Sequence, residues 1–258
     1  LYLTADIGID IKNNYENYTW HAPDGQLHHV RQNRRLYLTE GTSGLRQMSL
    51  AYTTSINSNI KAKVALGYLE WMFGGFGGEI LYLPDHKRWA LGMDVWWVKQ
   101  RDFDQKFSFQ DYEVITAMTT FYYDLPFYDM RLKLSAGQFM GKDKGALLDV
   151  SRRFYTGARV GAKVALTDCD PRCVGEGSFN KWIYFSLPMD LWYTTNTTRS
   201  RGYMEWSPLT KDAGQRAELS NLYDVVITAQ DQTESLRKKP WSFKKMIAGF
   251  GTSPKASI

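Results

Sequence analysis

The chain has 258 residues, and its 32 basic and 27 acidic side chains give a formal net charge of +5. That excess is too small to indicate nucleic-acid binding. With a mean hydropathy of −0.42, no window approaches the run of about 18 apolar residues that a membrane helix needs. Aromatic residues make up 15% of the chain, which fits either a soluble β-sandwich or a transmembrane barrel with aromatic belts.

Apolar side chains recur at every second position from the first residue onward, as in a strand with one apolar face. Residues 1–11 alternate cleanly, and helical periodicity is hard to find before residue 229. Further alternating segments lie near 48–52, 60–68, 76–84, 89–97, 107–123, 127–139, 146–150, 158–166, 183–187, 191–195, 201–207 and 222–228. The sequence therefore predicts an all-β antiparallel up-and-down fold of roughly 12 strands.

The connections between these strands favour a membrane barrel. Very short turns rich in turn-forming residues are predicted at 57–58, 84–86, 124–126, 156–157 and 188–189. Longer joins are predicted between them, at 70–75, 99–106, 141–144 and 168–177. Short and long connections that alternate along a meander are typical of an outer-membrane barrel and have no reason to persist in a Greek-key sandwich.

The polar faces of the strands carry charges of both signs, as a barrel interior would. The candidates for this interior are Lys61, Lys63, Glu79, Asp94, Arg131, Asp149, Arg153 and Arg159. Antiparallel pairing would bring Arg131, Arg153 and Arg159 into one basic stripe, attractive to an anionic polymer. Alternatively, carboxylates such as Asp129 and Asp149 neutralise these arginines in an interior that is packed shut.

The ends and the cysteines complete the predicted organisation. We expect a barrel over residues 1–228, as part of a longer exported polypeptide, and a basic tail over 229–258 that is either a surface-lying terminus or an anchor. Cys169 and Cys173 lie in one Pro-containing loop and are either a small disulfide or reduced thiols.

Several long blocks resemble the YjbH/GfcD-like family of outer-membrane proteins, encoded with exopolysaccharide and capsule genes. The matching stretches include FGGFGGEILYLP (73–84), RWALGMDVWWVKQRDFDQKFSFQDYEV (88–114) and YYDLPFYDMRLKLSAGQFMGKDKGALLDVSRRF (122–154). The resemblance continues through 157–168, 175–191 and 198–216, and it corresponds to the C-terminal part of that larger family. It implies a secreted precursor, often with a lipoprotein-type signal, whose barrel lies in the Gram-negative outer membrane and takes part in polysaccharide export or surface assembly.

The sequence has few residue patterns that are typical of an active site. His28-His29 is a weak metal motif, and Asp102, Asp104 and Asp111 are more typical of a solvated rim than of paired catalytic carboxylates. FGGFGG precedes a strand, so its glycines indicate close backbone contact and not a dinucleotide site. We therefore predict no catalytic residues, no metal and no cofactor.

The function predicted is a porin-like outer-membrane barrel that exports or anchors exopolysaccharide through a charged interior. The expected partners are outer-membrane lipids, polysaccharide, other exopolysaccharide-assembly proteins and the N-terminal part of the same precursor, with no nucleic acid. The alternatives are a non-conducting scaffold and a barrel-embedded hydrolase.

Overall fold

The computed structural model describes residues 1–19, 21, 27–154, 158–169, 179–188, 201–206, 212–217 and 221–227. These residues form one sheet of eleven strands, each paired with the next in chain order. The strands are β1 (Tyr2–Gly8), β2 (Gly44–Ser55), β3 (Ile60–Tyr68), β4 (Phe73–Tyr82), β5 (Trp89–Arg101), β6 (Phe109–Asp124), β7 (Met130–Gln138), β8 (Lys144–Arg153), β9 (Arg159–Thr167), β10 (Asn180–Pro188) and β11 (Arg201–Trp206). No helix among the described residues is long and apolar enough to span a membrane.

The antiparallel up-and-down sheet confirms the predicted fold class. Every ladder between consecutive strands is antiparallel, and the strand limits follow the alternating segments of the sequence. The described residues contain eleven strands where roughly 12 were predicted, and the segment near 191–195 lies outside them. No ladder joins β1 to β11 in the described part of the chain.

The described residues also include three short helical elements, although helical periodicity is hard to find in the sequence before residue 229. They are a 3₁₀ turn (Tyr15–Asn17), α1 (Arg34–Glu40) and α2 (222–227). The segment near 222–228 was predicted as a strand because hydrophobic residues are closely spaced there. Only Leu222 and Tyr223 at its start are buried, which suits the single apolar side of one helical turn.

The connections at the two ends of the sheet have similar lengths, but their side chains differ in burial. At one end lie the connections 56–59, 83–88 and 125–129, and at the other lie 69–72, 102–108 and 139–143. The predicted alternation of short and long connections is therefore wrong over β2–β8, because β4 and β5 extend into residues that were assigned to loops. Leu69, Met72, Phe139 and Met140 are fully buried at the second end, whereas the first end is largely exposed. We call the second end the closed end.

The closed end is packed around residues 27–40, which lie between β1 and β2. Val30 and Tyr37 are completely buried against Leu69, Met72 and Phe73. Five fully buried side chains remove a large apolar area from water, and Phe73 anchors this cluster at the start of β4. The glycines that follow it fit the prediction of close backbone contact, because a Cβ on Gly75 would overlap the carbonyl of Trp97.

The polar face of the sheet wraps around an inner segment, defined as residues 212–217 and 221–227. This segment contacts Glu79 on β4 and Asn180 on β10, which lie six strands apart. Seven adjacent strands in a flat sheet would span about 29 Å at the usual spacing of about 4.8 Å. One cavity of about 670 Å³ is nevertheless lined by both Glu79 of β4 and Trp182 of β10, so the sheet is strongly curved, with its polar side concave.

Candidate functional site

The concave polar face encloses a cavity of about 670 Å³ beside the inner segment. Two tryptophans, Trp96 and Trp182, line it together with Tyr122. Its charged lining residues are Glu79, Asp94, Lys133, Asp149, Lys163, Arg216 and Asp224. The cavity therefore combines aromatic faces with charges of both signs.

Strand register arranges charges of the concave face in two rows, each with both signs. In the first row, Lys63 of β3 lies opposite Glu79 of β4, which lies opposite Asp94 of β5. In the second row, Asp149 of β8 lies between Lys133 of β7 and Lys163 of β9. Side chains directly opposite one another on the same face are neighbours, so most charges meet the opposite sign. The exception is the pair Glu79 and Asp94.

The inner segment relieves the repulsion between Glu79 and Asp94. Arg216 donates from Nη2 to Asp94 Oδ1 at 2.6 Å. The backbone N–H of Leu222 donates to both carboxylate oxygens of Glu79, at 2.9 and 3.0 Å. Both carboxylates are thus bound to residues of the inner segment, which fixes that segment across the interior.

The second row is also attached to the inner segment. Lys133 Nζ donates to both oxygens of Asp224, at 2.7 and 2.9 Å. Within the sheet, the hydroxyl of Tyr184 donates to Asp149 at 2.8 Å. Asn180 of β10 donates its side-chain amide N–H to the carbonyl of Ala213 at 2.9 Å. A carboxylate could not make that bond.

Arginines hold the closed end together. Arg31 forms a bidentate pair with Glu70, at 2.8 and 3.0 Å, with both side chains almost completely buried. Arg101 is fully buried and donates to six backbone carbonyls, among them those of Leu45 in β2 and Gln105 in the connection 102–108. The other four acceptors are the carbonyls of Arg46, Glu70, Trp71 and Lys106. Burial also raises the pKa of the Tyr37 hydroxyl, which donates to the Arg101 carbonyl at 2.6 Å.

The opposite end of the concave face has a second, smaller cavity. It has a volume of about 110 Å³, and its lining includes Arg131, Arg153 and Arg159. Asp124 accepts from Arg131 Nε at 2.6 Å and from Nη2 at 3.2 Å. We call this the arginine end. It contains the three residues of the predicted basic stripe.

The chain matches a family model described as the exopolysaccharide biosynthesis protein YbjH (the YjbH model) over residues 1–228. The chain belongs to this YjbH family. It is also 37% identical over 232 residues to the uncharacterized lipoprotein YjbH of Escherichia coli (strain K12). The match covers 87% of this chain but only 33% of that relative, so the chain spans about a third of its length. No solved structure matches the chain significantly.

The structure separates the eight predicted interior residues into three locations. Glu79, Asp94 and Asp149 line the large cavity, and Lys63 lies in the same charge row as Glu79 and Asp94. The three arginines line the small cavity. Lys61 lies apart, near the exposed β2–β3 turn, where its Nζ donates to Ser55 at 3.3 Å. Cys169 follows β9 and Cys173 lies outside the described residues, so the disulfide stays a prediction. The tail over 229–258 also lies outside them.

Sequence reasoning missed the residues that come from the inner segment. Asp224 was assigned to a strand near 222–228 and Arg216 to no element, and no periodic pattern places either of them on the concave face. The sequence could have placed Trp96 and Trp182 on the concave face, because each lies at an alternate position from a polar residue of that face, Asp94 in β5 and Asn180 in β10. His28 and His29, a weak metal motif, instead contact Gln100 and Asp212, respectively.

Proposed function

We propose that this chain forms a closed barrel in the outer membrane and takes part in exopolysaccharide export or surface assembly. The observation that carries this proposal is the inverted distribution of side chains on the curved sheet. Charged residues such as Lys63 and Glu79 are 4% and 5% exposed on the concave face, whereas Val64 and Ile80 beside them are 56% and 54% exposed. Water would favour the reverse distribution, and lipid favours the observed one.

The exposed apolar surface runs across most of the strands. More than half of the surface of each of these large apolar side chains is accessible: Leu66, Phe76, Met93, Val95, Ile115, Leu166, Ile183 and Met204. A soluble monomer rarely exposes an apolar patch of more than a few hundred Å². A bilayer would cover this surface, to which Leu134 and Val160, 45% and 44% exposed, also belong.

Aromatic side chains occur near both ends of the sheet, as in the belts that lie at membrane interfaces. At the arginine end, Tyr82, Trp89, Phe121 and Tyr123 form a chain of ring contacts with centroids 5.6 to 6.4 Å apart. At the closed end, Tyr68 contacts Phe107 and Phe109. In the proposed barrel, the strand edges at β1 and β11 are paired, because unpaired backbone groups are too costly in lipid.

The polysaccharide role rests on the family and on the chemistry of the large cavity. Sugar rings present apolar faces that stack on aromatic side chains and hydroxyls that bond to carboxylates and amides. Trp96, Trp182 and the charges of the cavity provide both kinds of contact. A volume of about 670 Å³ lies within the usual range of about 300 to 1,000 Å³ for ligand sites.

A non-conducting scaffold is the second candidate, and the inner segment favours it. Arg216, Leu222 and Asp224 tie this segment across the interior, where it would obstruct a polymer. In that case the chain recruits assembly proteins or the rest of its precursor. The proposal includes no catalytic step, since Glu79 and Asp94 both bind the inner segment.

Site-directed labels test the barrel itself. Spin labels at Leu134 and Val160 should report lipid or detergent, whereas a label at Ser135, on the concave face, should not. Water contact at both apolar positions would overturn the membrane assignment.

Export assays separate the two candidates. Trp96→Leu with Trp182→Leu should reduce surface polysaccharide at an unchanged outer-membrane level if the interior binds the polymer. Undiminished export at a normal protein level would favour the scaffold. Trp97→Leu, whose side chain has the opposite parity, is the matched control.

A further inference from the structure

Three arginines from successive strands meet at one cavity at the arginine end. Arg131 is the second residue of β7, Arg153 is the last of β8 and Arg159 is the first of β9. Arg153 and Arg159 are directly opposite in the ladder, and Arg131 lies opposite Ser151, two residues from Arg153. The same strand face therefore presents all three guanidinium groups to the cavity of about 110 Å³.

The guanidinium of Arg131 is fixed in place but not fully used. Asp124 accepts from two of its nitrogens, and the ring of Tyr223 lies 5.1 Å from its central carbon. Its third nitrogen, Nη1, is buried and has no hydrogen-bond partner. A buried donor without a partner is costly, so an acceptor from a ligand would be stabilising there. Arg101 also has an unpartnered Nε, but it does not line this cavity.

The charges of the cavity favour an anion. Its lining has three guanidinium groups and two carboxylates, those of Asp124 and Asp129, and the nearby carboxylate of Asp224 is paired with Lys133. Guanidinium groups bind carboxylate and phosphate oxygens through paired, charge-assisted hydrogen bonds. At about 30 Å³ for each water in the liquid, the cavity has room for about four waters. This is the size of an acidic substituent and less than that of a sugar ring.

The small cavity lies beside the large one. Arg131 and Lys133 are alternate residues of β7 on the concave face, and Lys133 lines the large cavity. Tyr223 and Asp224 of the inner segment contact Arg131 and Lys133, respectively. A polymer whose acidic group occupies the small cavity would have its next sugar residues at the mouth of the large one.

We propose that Arg131, Arg153 and Arg159 form a subsite for the carboxylate or phosphate group of an acidic polysaccharide. This inference rests on the proposed function and specifies the class of polymer. The three arginines lie on the concave face, whereas Val160, next to Arg159 in β9, is exposed on the other face of the sheet. The subsite is therefore separated from the proposed lipid surface.

Binding to the detergent-purified chain tests the subsite. The probes are trigalacturonate and maltotriose, an acidic and a neutral trisaccharide, measured by calorimetry at low salt. We expect tighter binding of trigalacturonate, with the Arg153→Gln, Arg159→Gln double variant about tenfold or more weaker. Arg152→Gln is the matched control, because Arg152 is in the same strand but on the exposed face, against the rings of Tyr128 and Phe154.

Equal binding of both probes, or equal binding of trigalacturonate by the double variant and the parent chain, would overturn the subsite. If the double variant does not fold, Arg159→Gln alone and a salt titration of the parent chain provide the same test. Affinity for trigalacturonate should fall with added salt while that for maltotriose stays constant. These measurements do not depend on membrane location, so a failed subsite and a failed barrel assignment give different results.

Discussion

The closed end and the arginine end both depend on buried arginines, but they use them differently. Arg101 at the closed end is 0% exposed and directs two nitrogens at six backbone carbonyls. Arg131 at the arginine end has a carboxylate partner, and one of its terminal nitrogens is unpartnered. The first arginine ties connections together, and the second has a donor left for a ligand.

This contrast shows that a charged concave face need not be uniform from one end of the sheet to the other. At the closed end, apolar side chains such as Phe139 and Met140 fill the space around the charges. At the arginine end, the charges border a cavity, and Asp124 remains partly exposed. We therefore expect substitutions at the closed end to change stability and those at the arginine end to change binding.

The largest effect is expected for Arg101→Met. This variant leaves six carbonyls of the closed end without their donor, and we expect the free energy of unfolding to fall by about 3 to 5 kcal/mol. Denaturant unfolding followed by tryptophan fluorescence measures it. Arg152→Met is the control, with an expected loss below about 1 kcal/mol. Equal losses in the two variants would contradict the structural role of Arg101.

A smaller loss in the free energy of unfolding, which a second substitution should partly reverse, is expected at Arg31 and Glu70. Glu70→Leu leaves the buried Arg31 without its carboxylate and should cost about 3 kcal/mol. Adding Arg31→Met should recover part of that loss, because two apolar side chains then replace two charges. A double-mutant cycle measures this coupling. Strictly additive losses would mean that the pair contributes no coupling at the closed end.

The smallest effect is expected for Asp224→Asn, since Asp224 and Lys133 are 44% and 17% exposed. We expect a loss of about 1 kcal/mol or less. Burial alone would raise the pKa of Asp224, but Lys133, Arg159 and Arg131 outweigh it and lower that pKa. The ionised pair therefore stabilises the fold above the unfolded pKa of about 3.9, and this contribution disappears as the pH falls through the lower folded pKa.

Unfolding of the parent chain and of Asp224→Asn between pH 7 and pH 3 tests this assignment. The difference between the two should shrink toward the acidic end. A difference that grows as the pH falls would contradict the lowered pKa.

The alternation of apolar and polar residues predicted the strands well, because the sequence of each strand alone determines which side chains share a face. Glu79 and Asp94 were predicted to face the interior from parity alone, and the concave face bears them both. Their mutual position depends on register, which the sequence does not give directly. Arg216 and Asp224 could not be placed, because they reach the interior through long-range contacts without a periodic pattern. Loop lengths misled the prediction at the closed end, where β4 and β5 extend into the residues assigned to joins.

The inner segment has a consequence for the order of folding. Each ladder joins neighbouring strands, so the sheet grows through contacts between residues close in sequence. Leu222 reaches back 143 residues to Glu79, and the carbonyl of Arg216 accepts from Arg31 across 185 residues. Contacts of such separation carry the largest loop-closure cost and slow folding. We therefore expect the ladders of the sheet to form before the inner segment docks on the concave face, with the charges of that face hydrated until then.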